Sequence, residues 1–156
     1  MRLGALLAAA ELDAAKIVPD DRVPDYPTVN DCVVNDPMVN DIVIASGEVR
    51  PGALFACVPG SRADGHDYAH DAVQRGAVAL LSERPASAGV PEVMVPSVRR
   101  ALGPVSAALW GYPSRAMRVV GVTGTNGKTT TCALLAGIFD AQGWDAGVIG
   151  LSLIHI

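Results

Sequence analysis

Gly124-Thr125-Asn126-Gly127-Lys128-Thr129-Thr130 is the part of the chain whose residue types and spacing most plainly point to chemistry. Two glycines allow backbone angles that a side chain would forbid, so that successive N–H groups can turn into one concavity. A helix starting near Lys128 brings the positive end of its dipole to the same place. Lys128 would then lie across the β- and γ-phosphates of a nucleoside triphosphate, and the Thr129 hydroxyl is placed to ligate Mg²⁺. The pattern departs from the strict G-x-x-x-x-G-K-[ST] form, because Val122 stands where the first glycine belongs. The plain alternative is a glycine-rich strand-to-helix turn that binds nothing.

The elements on either side favour the phosphate reading. Residues 118–122 form a β-branched apolar run that predicts a strand entering the loop. Cys132 to Phe139 carries apolar residues at helical spacing, and that helix is expected to run to about Gln142 and stop at Gly143. Trp144 to Ile149 then begins another strand.

Composition restricts the partners. Of 156 residues, half are apolar and 18% are charged, which is a globular balance and not a disordered one. Net charge is −4 and no Lys/Arg cluster exists, so nucleic acid and anionic membrane surfaces are not expected partners. Phosphate binding must therefore be local to a loop. Cys32, Cys57 and Cys132 are widely spaced and include no C-x-x-C pair, which fits neither a disulfide framework nor a zinc site and suits a reducing, cytoplasmic compartment. The run Leu6 to Ala10 is broken by Glu11 and Asp13, too short for a membrane span. Leu3, Leu6, Leu7 and Ala10 share one face of an amphipathic first helix.

The region before the loop reads as alternating strands and helices. Residues 19–37 are rich in Pro, Asp and Asn, with a short strand at 32–34. Strands are predicted at 42–44, 53–58, 78–81 and 93–95. A helix is predicted from about Asp67 to Arg75 with Gly76 as its cap, and another from a Ser97 N-cap to about Trp110. The alternation implies a mostly parallel α/β sheet. Gly111-Tyr112-Pro113-Ser114 breaks the pattern, dividing the chain into domains at 1–112 and 113–156. His66 and His70 are spaced to chelate a metal from one helical face, although no third ligand is evident and Asp67 and Asp71 read as ordinary solvated helix residues.

At these residues the chain resembles the Mur ligases, the family that builds the peptide stem of bacterial peptidoglycan. Gly121-Val122-Thr123-Gly124-Thr125-Asn126-Gly127-Lys128-Thr129-Thr130-Thr131 is similar to the family's ATP loop, where Val or Ile replaces the first glycine. Val49-Arg50-Pro51-Gly52, Pro59-Gly60, Asp64-Gly65-His66, Gly76-Ala77-Val78-Ala79 and Tyr112-Pro113-Ser114 resemble its uridine-nucleotide domain and the step into the next one. The resemblance implies an amino-terminal α/β domain for the UDP substrate followed by the start of a P-loop ATP-binding domain. It implies ATP contacts from Gly124, Thr125, Asn126, Gly127, Lys128, Thr129 and Thr130, with Lys128 catalytic and Thr129 on Mg²⁺. Ile44, Ser46, Ser61, Arg62 and Ala63 are implied to meet the UDP-linked substrate.

The Thr125-Asn126 pair most resembles the member that adds the third stem residue, diaminopimelate or lysine, to UDP-N-acetylmuramoyl-L-alanyl-D-glutamate. That implies an ATP-dependent amide ligase working through an acyl phosphate, cytoplasmic and monomeric in its parent form. The member adding the terminal dipeptide, or a nucleotide-binding module without catalysis, are the alternatives. Two features depart from the family. Ala45-Ser46-Gly47 replaces Asp-Ser-Arg, removing both charges beside Ser46. After Gly150 the sequence leaves the family's pattern, so an incomplete second domain is expected, inactive alone.

Overall fold

Leucines one helical turn apart begin the fold. Leu3, Leu6, Leu7 and Ala10 are all buried, and α1 (Leu3–Ala9) presents them to the core as its spacing predicts. The computed structural model describes residues 1–12, 16–18, 36–61, 63–150 and 153–155. They form two units, Met1–Ala116 and Met117–Ile156. The expected strand at 32–34 and the candidate residue Arg62 lie outside the described residues.

The first unit is built on a five-stranded sheet. Its strands are β1 (Lys16–Val18), β2 (Asp41–Val43), β3 (Ala53–Ala56), β4 (Ala77–Ser82) and β5 (Glu92–Met94), in the order β1-β5-β4-β3-β2. β2, β3, β4 and β5 are parallel, and β1 joins the edge antiparallel to β5. The central strands read as unbroken apolar runs because both of their faces are covered. α1 and α3 (Val98–Leu109) cover one face over Leu54, Ala56, Ala79, Leu81 and Val93. α2 (Ala69–Gln74) covers the other over Phe55, Cys57, Ala77 and Leu80. A register shift between β3 and β4 lets Ala77 and Ala79 point to opposite faces although they are two apart.

Three expectations for the first unit need correction. The strand predicted at 42–44 is Asp41–Val43, and Ile44 lies beyond it, 58% exposed. The helix predicted from Asp67 is preceded by a tighter 3₁₀ turn, Gly65–Tyr68, because the Asp64 carboxylate captures the His66 N–H at 2.9 Å. Ser97 makes no capping bond to α3; Glu83 Oε1 accepts from the Val98 N–H at 2.8 Å instead. Gly76 does end α2 with φ +109.

In the second unit α4 (Lys128–Ala141) follows the glycine loop, and Gly143 stops it with φ +71. β6 (Val148–Gly150) pairs antiparallel with β7 (Leu153–His155). The predicted strand at 118–122 makes no ladder among the described residues. A β-branched run becomes a strand only beside a partner, and β6 is paired elsewhere. Phe139 and Trp144 stack at 5.8 Å, with the Arg118 guanidinium 4.9 Å above the Trp144 ring.

Candidate functional site

The glycine loop is built from adjacent residues. Gly124 at φ +147 and Gly127 at φ +76 take angles closed to ordinary side chains, as the sequence predicts. The first backbone bond across the start of α4 runs from the Thr131 N–H to the Gly127 carbonyl at 2.9 Å. The amides of Lys128, Thr129 and Thr130 precede it and have no acceptor within the helix, the ordinary state of a helix start and the one an anion uses. Lys128 folds back over the loop, its Nζ donating to the Gly124 carbonyl at 2.6 Å. Residues 123–130 are exposed.

The other candidate residues gather at the carboxyl end of the parallel sheet. Ile44 and Ser46 follow β2, while Ser61 and Ala63 follow β3; because β2 and β3 are parallel neighbours, both segments leave the same edge. That edge is where α/β sheets bind ligands. Ile44 lines a cleft of about 800 Å³ together with Ile42, Gly47, Arg50, Leu102 and Ser106. Ser46 is half-buried, and its hydroxyl, with Arg75, holds the Asp71 carboxyl below the usual carboxylate range. Ser61 and Ala63 are exposed on a loop closed by a Gly60 N–H to Ala63 carbonyl bond of 3.0 Å.

Beneath this loop lies a network that pattern reading missed. His66 is buried, its Nδ1 2.6 Å from Asp64 Oδ1 and its Nε2 accepting from the Glu83 N–H at 3.2 Å. Arg84 donates to Asp64 Oδ2 at 2.8 Å. The His66 amide and ring, then Arg84, hold the Asp64 carboxyl far below its ordinary range. Burial, with the nearby Glu92 and Asp64 carboxylates, pushes the Cys57 thiol up to about 12. The Asp64-Gly65-His66 triplet was visible as a motif, whereas nothing in sequence tied Glu83 to it. The His66–His70 chelating pair does not form, because His66 is committed at both nitrogens and His70 is exposed on α2. Among the described residues no cluster of three or more His, Cys, Asp or Glu is placed to hold a metal ion, and no helix is long and apolar enough to cross a membrane.

Residues 39–109 match the Mur ligase family, catalytic domain, and residues 122–154 match the Mur ligase middle domain. The chain belongs to the Mur ligase family. Among its Mur ligase relatives, the UDP-N-acetylmuramoyl-L-alanyl-D-glutamate--2,6-diaminopimelate ligase of Geobacillus thermodenitrificans is 49% identical over 105 residues, 67% of this chain and 22% of that protein. The chain thus spans 22% of the length of this relative. A solved UDP-N-acetylmuramoyl-L-alanyl-D-glutamate--2,6-diaminopimelate ligase superposes with a TM-score of 0.57 at 27% identity, covering 75% of this chain and 24% of that one. The MurF ligase from Thermotoga maritima, solved in complex with ADP, gives a TM-score of 0.55 at 35% identity over 67% of this chain and 24% of that one. The α/β sheet is therefore a Mur ligase sheet.

Proposed function

We propose that the chain is part of an ATP-dependent amide ligase that adds a third stem residue to UDP-N-acetylmuramoyl-L-alanyl-D-glutamate. Its residues 1–112 take the UDP-linked substrate and its residues 113–156 begin the ATP site. The identity to a diaminopimelate-adding relative carries this reading, and the glycine loop with its open helix start supports it. Diaminopimelate is the favoured amino acid, with lysine the competitor. The setting is cytoplasmic and the working form a monomer.

The chemistry has two steps. The D-glutamyl γ-carboxylate attacks the γ-phosphorus of ATP, forming an acyl phosphate as ADP leaves. The amine of the incoming amino acid then attacks the acyl carbon, the amide bond forms, and inorganic phosphate departs. Little covalent work falls to the protein, so its residues position and neutralise. The loop amides with Gly124, Thr125, Asn126 and Gly127 cradle the phosphates. Lys128 leaves its loop carbonyls to meet the transferring group, and Thr130 adds a hydroxyl. Thr129 is exposed in the first turn of α4, and its hard hydroxyl oxygen fits Mg²⁺, which keeps several waters and needs few protein ligands beside phosphates. When bound, Mg²⁺ neutralises phosphate charge. Ile44, Ser46, Ser61, Arg62 and Ala63 serve the UDP end.

A second reading, addition of the terminal dipeptide, is favoured by the 35% identity to the Thermotoga maritima MurF ligase. An assay of a protein extended to the relatives' length, offered diaminopimelate, lysine and D-Ala-D-Ala in turn, separates them. Turnover with D-Ala-D-Ala alone overturns the first reading.

A further inference from the structure

The segment from Pro59 to Asp64 is tied to the rest of the first unit near its two ends. Among its described residues are the Gly60–Ala63 bond and a bridge between Pro59 and Asp64, and Arg99 Nη2 donates to the Pro59 carbonyl at 2.7 Å. Its far end lies against the chain just after β3, since a Cβ at Gly65 would stand 2.6 Å from the Val58 nitrogen, and the turn itself is tight, since one at Gly60 would stand 2.4 Å from the Ala63 oxygen. Arg99 holds the Pro59 end, and the Asp64 end must be held separately.

His66 is the group able to do so. Its Nε2 accepts from a backbone N–H, so that nitrogen carries no proton. Nδ1 therefore bears the hydrogen and donates it to Asp64 Oδ1. Asp64 Oδ1 also takes the His66 backbone N–H, and Oδ2 takes Arg84. One ring thus ties the last residue of the loop to the end of β4. We infer that His66, fixed as its Nδ1–H tautomer between Glu83 and Asp64, is a positioning residue that sets the shape of the 59–64 loop and through it the affinity for the uridine nucleotide. The second half of that statement rests on the proposed substrate; the first does not.

The experiment uses this chain with UDP as the probe. Ring ¹⁵N spectra at neutral pH are expected to show Nδ1 protonated and Nε2 bare. In His66→Ala, exchange of the Gly60 and Gly65 amides should rise about tenfold or more, the effect of losing two part-buried hydrogen bonds. The Cys57 amide, bonded across the sheet to Leu81 at 2.8 Å, serves as the internal control and should stay within about twofold. UDP binding should weaken by the same factor as the loop loosens, and His66→Gln, which keeps a donor and an acceptor, should recover part of both. An Nε2–H tautomer, or unchanged exchange at Gly60 and Gly65, would overturn the inference. Should His66→Ala fail to fold, Asp64→Ala applies the same exchange test from the other end of the bond. Failure of the unmutated chain to bind UDP would sink the substrate reading alone, because the ring spectrum and loop exchange decide the positioning role without any ligand.

Discussion

Glu83 Oε1 caps α3 through the Val98 N–H at 2.8 Å, one residue beyond the serine placed to do so. Its own backbone N–H is given to His66. A single residue at the end of β4 therefore fixes both the start of α3 and the loop before α2.

Glu83→Ala should lower the stability of the first unit by roughly 1 kcal/mol, the usual cost of a lost cap. Ser97→Ala should change it by less than about 0.5 kcal/mol, as a surface substitution without a bond does. Urea unfolding of the two variants decides this, and equal losses would mean that the cap is not Glu83.

Lys128→Ala should erase the amide shifts that a nonhydrolysable ATP analogue produces at residues 124–130. Lys128 is the only cation in that loop, and a charge-assisted bond to phosphate contributes about 1.5–3 kcal/mol, roughly ten- to a hundredfold in affinity. A titration identical to the parent's would remove the loop from the ATP site.

Acid should destabilise the first unit through Asp64. Its folded carboxyl lies below the unfolded value of about 3.9, so its contribution is complete above that pH and is lost as pH falls through the folded value. Asp71 acts in the same direction but is more exposed, and solvent screening reduces its share. Thermal melts should be flat from neutrality to about pH 5 and drop below about pH 4, with a shallower drop in Asp64→Asn. Equal slopes would show that the Asp64 bonds do not favour the folded state.

Restoring Asp at Ala45 and Arg at Gly47 should tighten binding of the UDP-linked substrate by about tenfold or more, through a charge-assisted bond. A Cβ added at Gly47 meets nothing within 4 Å, so the backbone accepts a side chain there. Calorimetry showing no gain would place these positions away from the substrate.

What was legible in the sequence was what is local. α1 followed from the spacing of Leu3, Leu6 and Leu7, the stop of α2 from Gly76, and the parallel sheet from alternating apolar runs. What escaped depends on partners far along the chain. Ser97 has the right side chain at the right place, yet Glu83 arrives from β4 and takes the bond. Residues 118–122 have strand composition but no neighbour to pair with among the described residues. His66 showed a chelating spacing, and only folding reveals that both its nitrogens are already engaged.

The two candidate binding segments consequently differ in how far they can travel. The features described for the glycine loop, from the φ of Gly124 to the bond closing on Thr131, lie in one unbroken stretch. Such a stretch behaves as a cassette: placed after any buried apolar segment and before any helix, it should re-form its amide array. The 59–64 loop has no such independence, because its shape is held by an imidazole whose second partner lies seventeen positions on, across a sheet. Transplanted without β4, it would carry the residues of the site and lose their arrangement.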